Sequence, residues 1–183
     1  MYPPFDRSRI RFRPLAERKS KFKIDDIGVD PDGPVPSAGA ASGALDQVAE
    51  RVLEARKRGA PVVLCHGAHM IKNGLAPVLA RFVSEGWLTH IATNGAGSIH
   101  DWEFAFQGES TEDVREYVAV GEFGIWDETG KYLAMALHVG VLEGLGYGAS
   151  VGRMVATERL FVPDREELRR RIKIGRASCR ERV

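Results

Sequence analysis

The sequence holds only two cysteines, Cys65 and Cys179, among 183 residues. That excludes a disulfide-stapled scaffold. No apolar run approaches the ~20 residues of a membrane span, so no membrane partner is expected. Charge excess is also missing: 26 Lys and Arg face 25 Asp and Glu, a net of +1. A balance so close to neutral argues against a dedicated nucleic-acid binder. The opening Met1-Tyr2-Pro3-Pro4-Phe5-Asp6-Arg7 lacks the basic-then-apolar pattern of a secretory signal, so a cytoplasmic location is expected. Apolar residues are not scarce. At 44% hydrophobic and 28% charged, the composition is that of a globular domain and not of a disordered tail.

Residues 174–183, Ile-Gly-Arg-Ala-Ser-Cys-Arg-Glu-Arg-Val, resemble the translation of a common short-read sequencing adapter. They are read as an artefactual tail and set aside from fold reasoning. The genuine chain is then expected to continue past Lys173. Without the tail the net charge is −1, and Cys65 is the remaining cysteine. The charge is uneven. Residues 1–23 carry eight Lys and Arg against Asp6 and Glu17, a net of +6, while residues 24–173 carry a net of −7. Such an arm could meet nucleic acid or an acidic surface. Ile10, Phe12, Leu15, Phe22, Ile24 and Ile27 interrupt its charges, so packing on its own or a neighbouring subunit is the favoured expectation.

Residues 28–43 contain four Gly and three Pro and no bulky core residue, which predicts a linker or exposed loop. The arm and linker, 1–43, thus precede an α/β domain over 44–173. Leu45, Val48, Ala49, Val52 and Leu53 follow helical spacing. Arg56, Lys57 and Arg58 suit the end of that helix, and Gly59 and Pro61 stop it. Pro61 to Cys65 is a short apolar run without alternation, which predicts a strand buried on both faces. A loop over His66 to Asn73 and a helix from about Gly74 to Glu85 follow, with Pro77 in its first turn. A second strand, Leu88 to Thr93, leads into Asn94-Gly95-Ala96-Gly97-Ser98. Ser98 and Asp101 have capping-box spacing, as do Ser110 and Asp113. A longer helix is predicted over Asp127 to Glu143, and the glycine-dense stretch Gly140 to Gly152 leaves its boundary open. Alternating helices and apolar strands predict an α/β fold with a parallel sheet.

In such a sheet the loops after the strands share the carboxyl edge, where ligands bind. The 66–73 and 94–101 loops should therefore converge if their strands are neighbours. They bring His66, His69, Lys72, Asn73, Asn94, Ser98, His100 and Asp101 together. The G-x-G of Gly95 and Gly97 could admit a pyrophosphate to a helix N-terminus, or it could simply be a tight turn. His66 and His69 with His100 and Asp101 could make a metal site activating water for hydrolysis. Alternatively His100 or His69 serves as acid or base beside a ligand. His90 and His138 read as structural. Cys65, ending a strand, reads as inert core. Lys72 could meet a phosphate or remain solvated. Trp102, Trp126 and Phe104 could stack on an adenine or nicotinamide, although the helical spacing of Trp102 suits a core position.

Over Pro61 to Asp101 the sequence resembles the deoxyhypusine synthase family, and His90 to Trp126 is closer to its bacterial members. The family's S-N-L-x-S-S-G is matched by Ala68-His69-Met70-Ile71-Lys72-Asn73-Gly74. Its T-T-A-G-G-x-E-E-D is matched by Thr93-Asn94-Gly95-Ala96-Gly97-Ser98-Ile99-His100-Asp101. The resemblance implies a Rossmann-like sheet that binds NAD and a homo-oligomer. It also implies an aminobutyl-type transferase acting on a small-molecule substrate such as an amine. By position it matches His69, Asn73, Thr93, Asn94, Gly95 and Gly97 to the cofactor-binding stretches and Asp101 to the conserved end of the second motif; the reading of the loops adds Ser98 to the cofactor set and His100 beside Asp101 as a catalytic candidate. Two departures follow. Ile99 and His100 stand where the family has paired glutamates, which a polyamine site needs. The family's imine-forming lysine would fall beyond Lys173, so this chain is not expected to complete the family reaction. The alternatives are a hydrolase using His66, His69, His100 and Asp101, and a non-catalytic nucleotide-binding module.

Overall fold

A computed structural model of the chain describes residues 6–157, together with 166, 169 and 170. The tail over 174–183 and the sequence around Lys173 lie outside the described residues. The chain clusters into two units: Ala16–Gly124, and Met1–Leu15 with Ile125–Val183. The expected α/β class holds at the coarse level, as a mixed structure dominated by helices with a small parallel sheet. No helix among the described residues is long and apolar enough to cross a membrane.

The larger unit opens with β1 (Phe22–Lys23) and α1 (Ile24–Ile27), continues through α2 (Ser42–Lys57), and enters β2 (Val63–His66). After β2 come α3 (His69–Lys72) and α4 (Ala76–Ser84). The chain then forms β3 (His90–Thr93), α5 (Gly95–Gln107), β4 (Glu109–Ser110) and α6 (Val114–Ala119). β2 and β3 pair in parallel with Val63 opposite His90 and His66 opposite Thr93. β1 pairs antiparallel with β4, Phe22 opposite Ser110. The core gathers Ile71, Leu79 and Phe104, with Phe22, Ile24, Ile27, Leu64, Met70 and Ala76 packed against it.

Several expectations need correction. β2 is not buried on both faces: Val63 and Cys65 are exposed, while Leu64 and His66 are half-buried. A two-stranded sheet leaves each strand one open edge and covers one face, so alternate residues differ. Cys65 is therefore an exposed thiol and not inert core. α2 forms where its periodicity places it and gives way at Gly59, whose φ is 65°. Its apolar stripe stays open, however, with Leu45, Val48 and Leu53 exposed. Periodicity decides that a helix forms; burial needs a facing surface as well. The expected 66–73 loop contains the one-turn helix α3.

Both capping-box assignments are overturned. Asn94, not Ser98, caps α5, and its carboxamide oxygen accepts from the Gly97 N–H at 3.2 Å. The helix thus starts before Ser98, whose hydroxyl donates back to the Gly95 carbonyl at 2.9 Å. Ser110 lies in β4, and Asp113 alone caps α6 by accepting from the N–H groups of Arg115 and Glu116.

Gly74 shows why one glycine is indispensable. Its φ is 82°, and a Cβ there would run into the backbone carbonyl of Ile27. The Val29 N–H donates to the Gly74 carbonyl at 3.0 Å, so the turn between α3 and α4 is also the seat of the segment after α1.

The second unit contains α7 (Asp127–Leu142) and α8 (Tyr147–Thr157). Glu128 accepts from the Leu15 N–H at 2.6 Å. Trp126, Leu133, Ala136 and Met154 are buried. A Cβ on Gly140 would overlap the Ser150 side chain, so α7 and α8 approach as closely as a bare glycine permits.

Candidate functional site

The parallel register ends with His66 opposite Thr93. Both strand-to-helix connections therefore leave the same edge of the sheet, as open parallel sheets require of a ligand site. Beside that edge lies a cavity of about 540 Å³, within the roughly 300–1,000 Å³ of small-molecule sites. Ile71, Leu79, Val83 and Ile91 supply its apolar walls. Its polar groups come from His66, Thr93, Ser98 and Asp101 and from Ser84 of α4, with Gly97 also in the lining. His66, Thr93, Gly97, Ser98 and Asp101, all named from the sequence, thus converge on one cavity.

The others fall nearby or elsewhere. Asn94 turns its side chain inward to cap α5. Asn73 closes α3, its N–H donating to the His69 carbonyl. His69, Asn73, Asn94, Gly95 and His100 are outside the cavity lining. Gly97 has a packing reason of its own: a Cβ there would sit 2.6 Å from the Thr93 hydroxyl, so glycine lets α5 lie close on β3. The first-turn amides of Gly95 and Ala96 have no intrahelical acceptor, and they leave α5 with positive character at the cavity's rim.

The aromatic candidates do not serve as ring platforms. Phe104 belongs to the core. Trp102 is buried and stacks on Phe106, with centroids 4.7 Å apart. Trp126 is buried in the other unit. The metal reading also lacks a donor set: among the described residues, no three His, Cys, Asp or Glu side chains gather as a metal site. His66 instead turns Nδ1 to the neighbouring Gly67 carbonyl at 3.0 Å.

Electrostatics separate the two residues assigned to catalysis. Asp101 is exposed as a residue, yet its carboxyl borders the apolar cavity, and desolvation there pushes its pKa above the ordinary value. His100 is held below the usual histidine range. Burial is the largest cause; Glu103 opposes it, and Lys72, Arg18 and His69 add to it.

Sequence reasoning missed the polar network behind His100. Its Nδ1 is 2.8 Å from the Ser110 hydroxyl. That hydroxyl donates to Glu103 Oε2 at 2.5 Å. Both Glu103 oxygens accept from Arg18, each at 2.8 Å. Arg18, Glu103 and Ser110 are all buried. Thr111, next to Ser110, takes the left-handed φ of 73°, a strain that tends to gather at functional positions. One signal in the sequence points to this network: Glu103 stands between the apolar Trp102 and Phe104. A carboxylate carried inward with such neighbours demands a partner.

Comparison with family models, with curated proteins and with solved structures finds no match to this chain.

Proposed function

We propose that the chain binds an NAD-type dinucleotide at the carboxyl edge of β2 and β3, in a Rossmann-like, deoxyhypusine-synthase-like setting. The observation that carries this reading is the convergence of both βα connections on one cavity through the His66–Thr93 register. The residues present suit such a group. Apolar walls accept a flat ring, the N-terminal turn of α5 attracts phosphate, and Thr93 and Ser98 offer hydroxyls to a ribose. A bound NAD would supply a hydride acceptor.

Asp101 in the lining and His100, the residue before it on α5 and just outside the lining, are the proton carriers. Asp101, with its raised pKa, is suited to hold a proton closer to neutrality than an ordinary aspartate. The amine expected of an aminobutyl-type transferase would meet Asp101 as its acidic contact, since Ile99 and His100 replace the family's glutamates. A homo-oligomer and a cytoplasmic location belong to the same proposal.

Isothermal titration with NAD and NADH tests it. Binding that is weakened at least about tenfold, or about 1.4 kcal/mol, by Ser98→Asp is the expected result. The new carboxylate suits the first turn of α5 but repels phosphate. No binding at millimolar cofactor overturns the reading.

A further inference from the structure

The buried network behind His100 has a direction. Glu103 is a carboxylate clamped on both oxygens by the Arg18 guanidinium, so it can only accept. Ser110 has one proton, and its 2.5 Å contact with Glu103 uses it. The Ser110 oxygen then has only lone pairs to offer His100, so the hydrogen across the 2.8 Å contact comes from Nδ1. An Nδ1–H imidazole that is neutral carries a bare lone pair on Nε2. Nε2 has no hydrogen-bond partner among the described residues, and His100 is only half-buried.

We propose that Arg18, Glu103 and Ser110 are positioning residues that lock His100 in its Nδ1–H form, so that Nε2 takes a proton from the hydroxyl or ammonium group of a bound substrate. The proposal deepens the reading of His100 as a proton carrier and rests on it. The step balances simply. The substrate's X–H bond breaks, its electron pair stays on X, and the proton joins Nε2 to give an imidazolium. The two N–H bonds of that imidazolium point to Ser110 and to X. Ser110 remains a donor to Glu103 throughout, so the new positive charge faces a carboxylate through one hydroxyl.

The surroundings keep His100 neutral until that moment. Facing it are Glu103 from its own helix, Ser110 from β4, Arg18 from the N-terminal arm, and Lys72 and His69 from α3. Desolvation and the three cationic or ionisable neighbours outweigh the single carboxylate. A base that is unprotonated near neutrality needs that balance. Burial acts on the pair in opposite senses: it lowers His100, so the imidazole starts without the proton, and it raises Asp101.

The test is a nitrogen-15-edited two-bond imidazole spectrum of the whole chain at neutral pH, without cofactor, assigned by the loss of one of five histidine patterns in His100→Gln. The expected result is an Nδ1–H pattern for His100. Ser110→Ala should convert it to the Nε2–H form that free imidazole prefers, and Ser110→Thr should restore it. An Nε2–H or averaged pattern in the unaltered protein overturns the proposal, as does an Nδ1–H pattern that survives Ser110→Ala. Diethyl pyrocarbonate supplies an independent measurement that needs no variant at Ser110. His100 should be acylated at Nε2 with a pH midpoint below that of free histidine, and failure to react also overturns the proposal. Neither readout involves NAD, so a failed cofactor titration and a failed relay are told apart.

Discussion

Asp101 and Asp113 are two aspartates driven in opposite directions by their surroundings. Desolvation beside the cavity raises the Asp101 pKa. A raised carboxyl favours the protonated folded state, so its contribution is lost as pH rises through the folded value. Asp101→Asn should therefore raise the melting temperature at neutral pH. The gain should vanish below the ordinary aspartate value, where both side chains are neutral. Thermal scans across that range would show it. Asp113 is lowered to about 2, first by the hydrogen bond from Lys21 and next by the backbone N–H of Glu116. Its stabilisation is present above the ordinary value of 3.8 and is lost as pH falls through about 2. Asp113→Ala should lower the melting temperature at neutral pH, and the difference should shrink as acid protonates the native side chain. His100 follows the base counterpart of this rule: its lowered pKa contributes stability above 6.5 that is lost as pH falls through the folded value.

Elements with strong local patterns are legible in the sequence. α4 and α7 fall where their apolar spacing and Pro77 place them. β3 falls within its apolar run, β2 runs one residue past the predicted strand to His66, and their adjacency makes the cavity edge legible too. What is not legible depends on distant partners. β1 and β4 are two residues each, too short for any period. Ser110 has the spacing of a cap, and spacing alone cannot tell a helix start from a strand that has found Phe22. The start of α5 is ambiguous in the sequence because Asn94 is as good a cap as Ser98; in the fold it is Asn94 that accepts the Gly97 N–H. Within this scale Gly74 is the sharpest test. Gly74→Ala must place a methyl group against the Ile27 carbonyl at a positive φ, a strain costing about 1–3 kcal/mol from the backbone conformation alone. Urea unfolding should show at least that loss, whereas Gly59→Ala, with open space around it, should lose only the conformational part.

For the molecule as a whole, the Arg18–Glu103 pair is a long-range polar tie within the larger unit, both side chains being almost fully buried. Removing one partner leaves a buried charge, and Glu103→Ala should cost about 3–5 kcal/mol. Replacing both, as Arg18→Met with Glu103→Leu, should recover much of that stability while abolishing the Nδ1–H pattern of His100. Denaturant midpoints for the single and double variants check the first point. The imidazole spectrum checks the second. A double variant no more stable than the single would mean that the pair holds the unit together through more than its charges.

The same tie carries a consequence for how the protein is made. Arg18 and Glu103 are 85 residues apart, and β1 waits for β4 across a similar span. A ribosome releases the chain from its first residue onward. Arg18 and β1 therefore emerge long before the carboxylate and strand that will receive them. Pairing them early is impossible, so their docking is a late event in assembly. The positioning of His100 is completed by that same event, which makes the finished relay a marker that Arg18 has reached its seat.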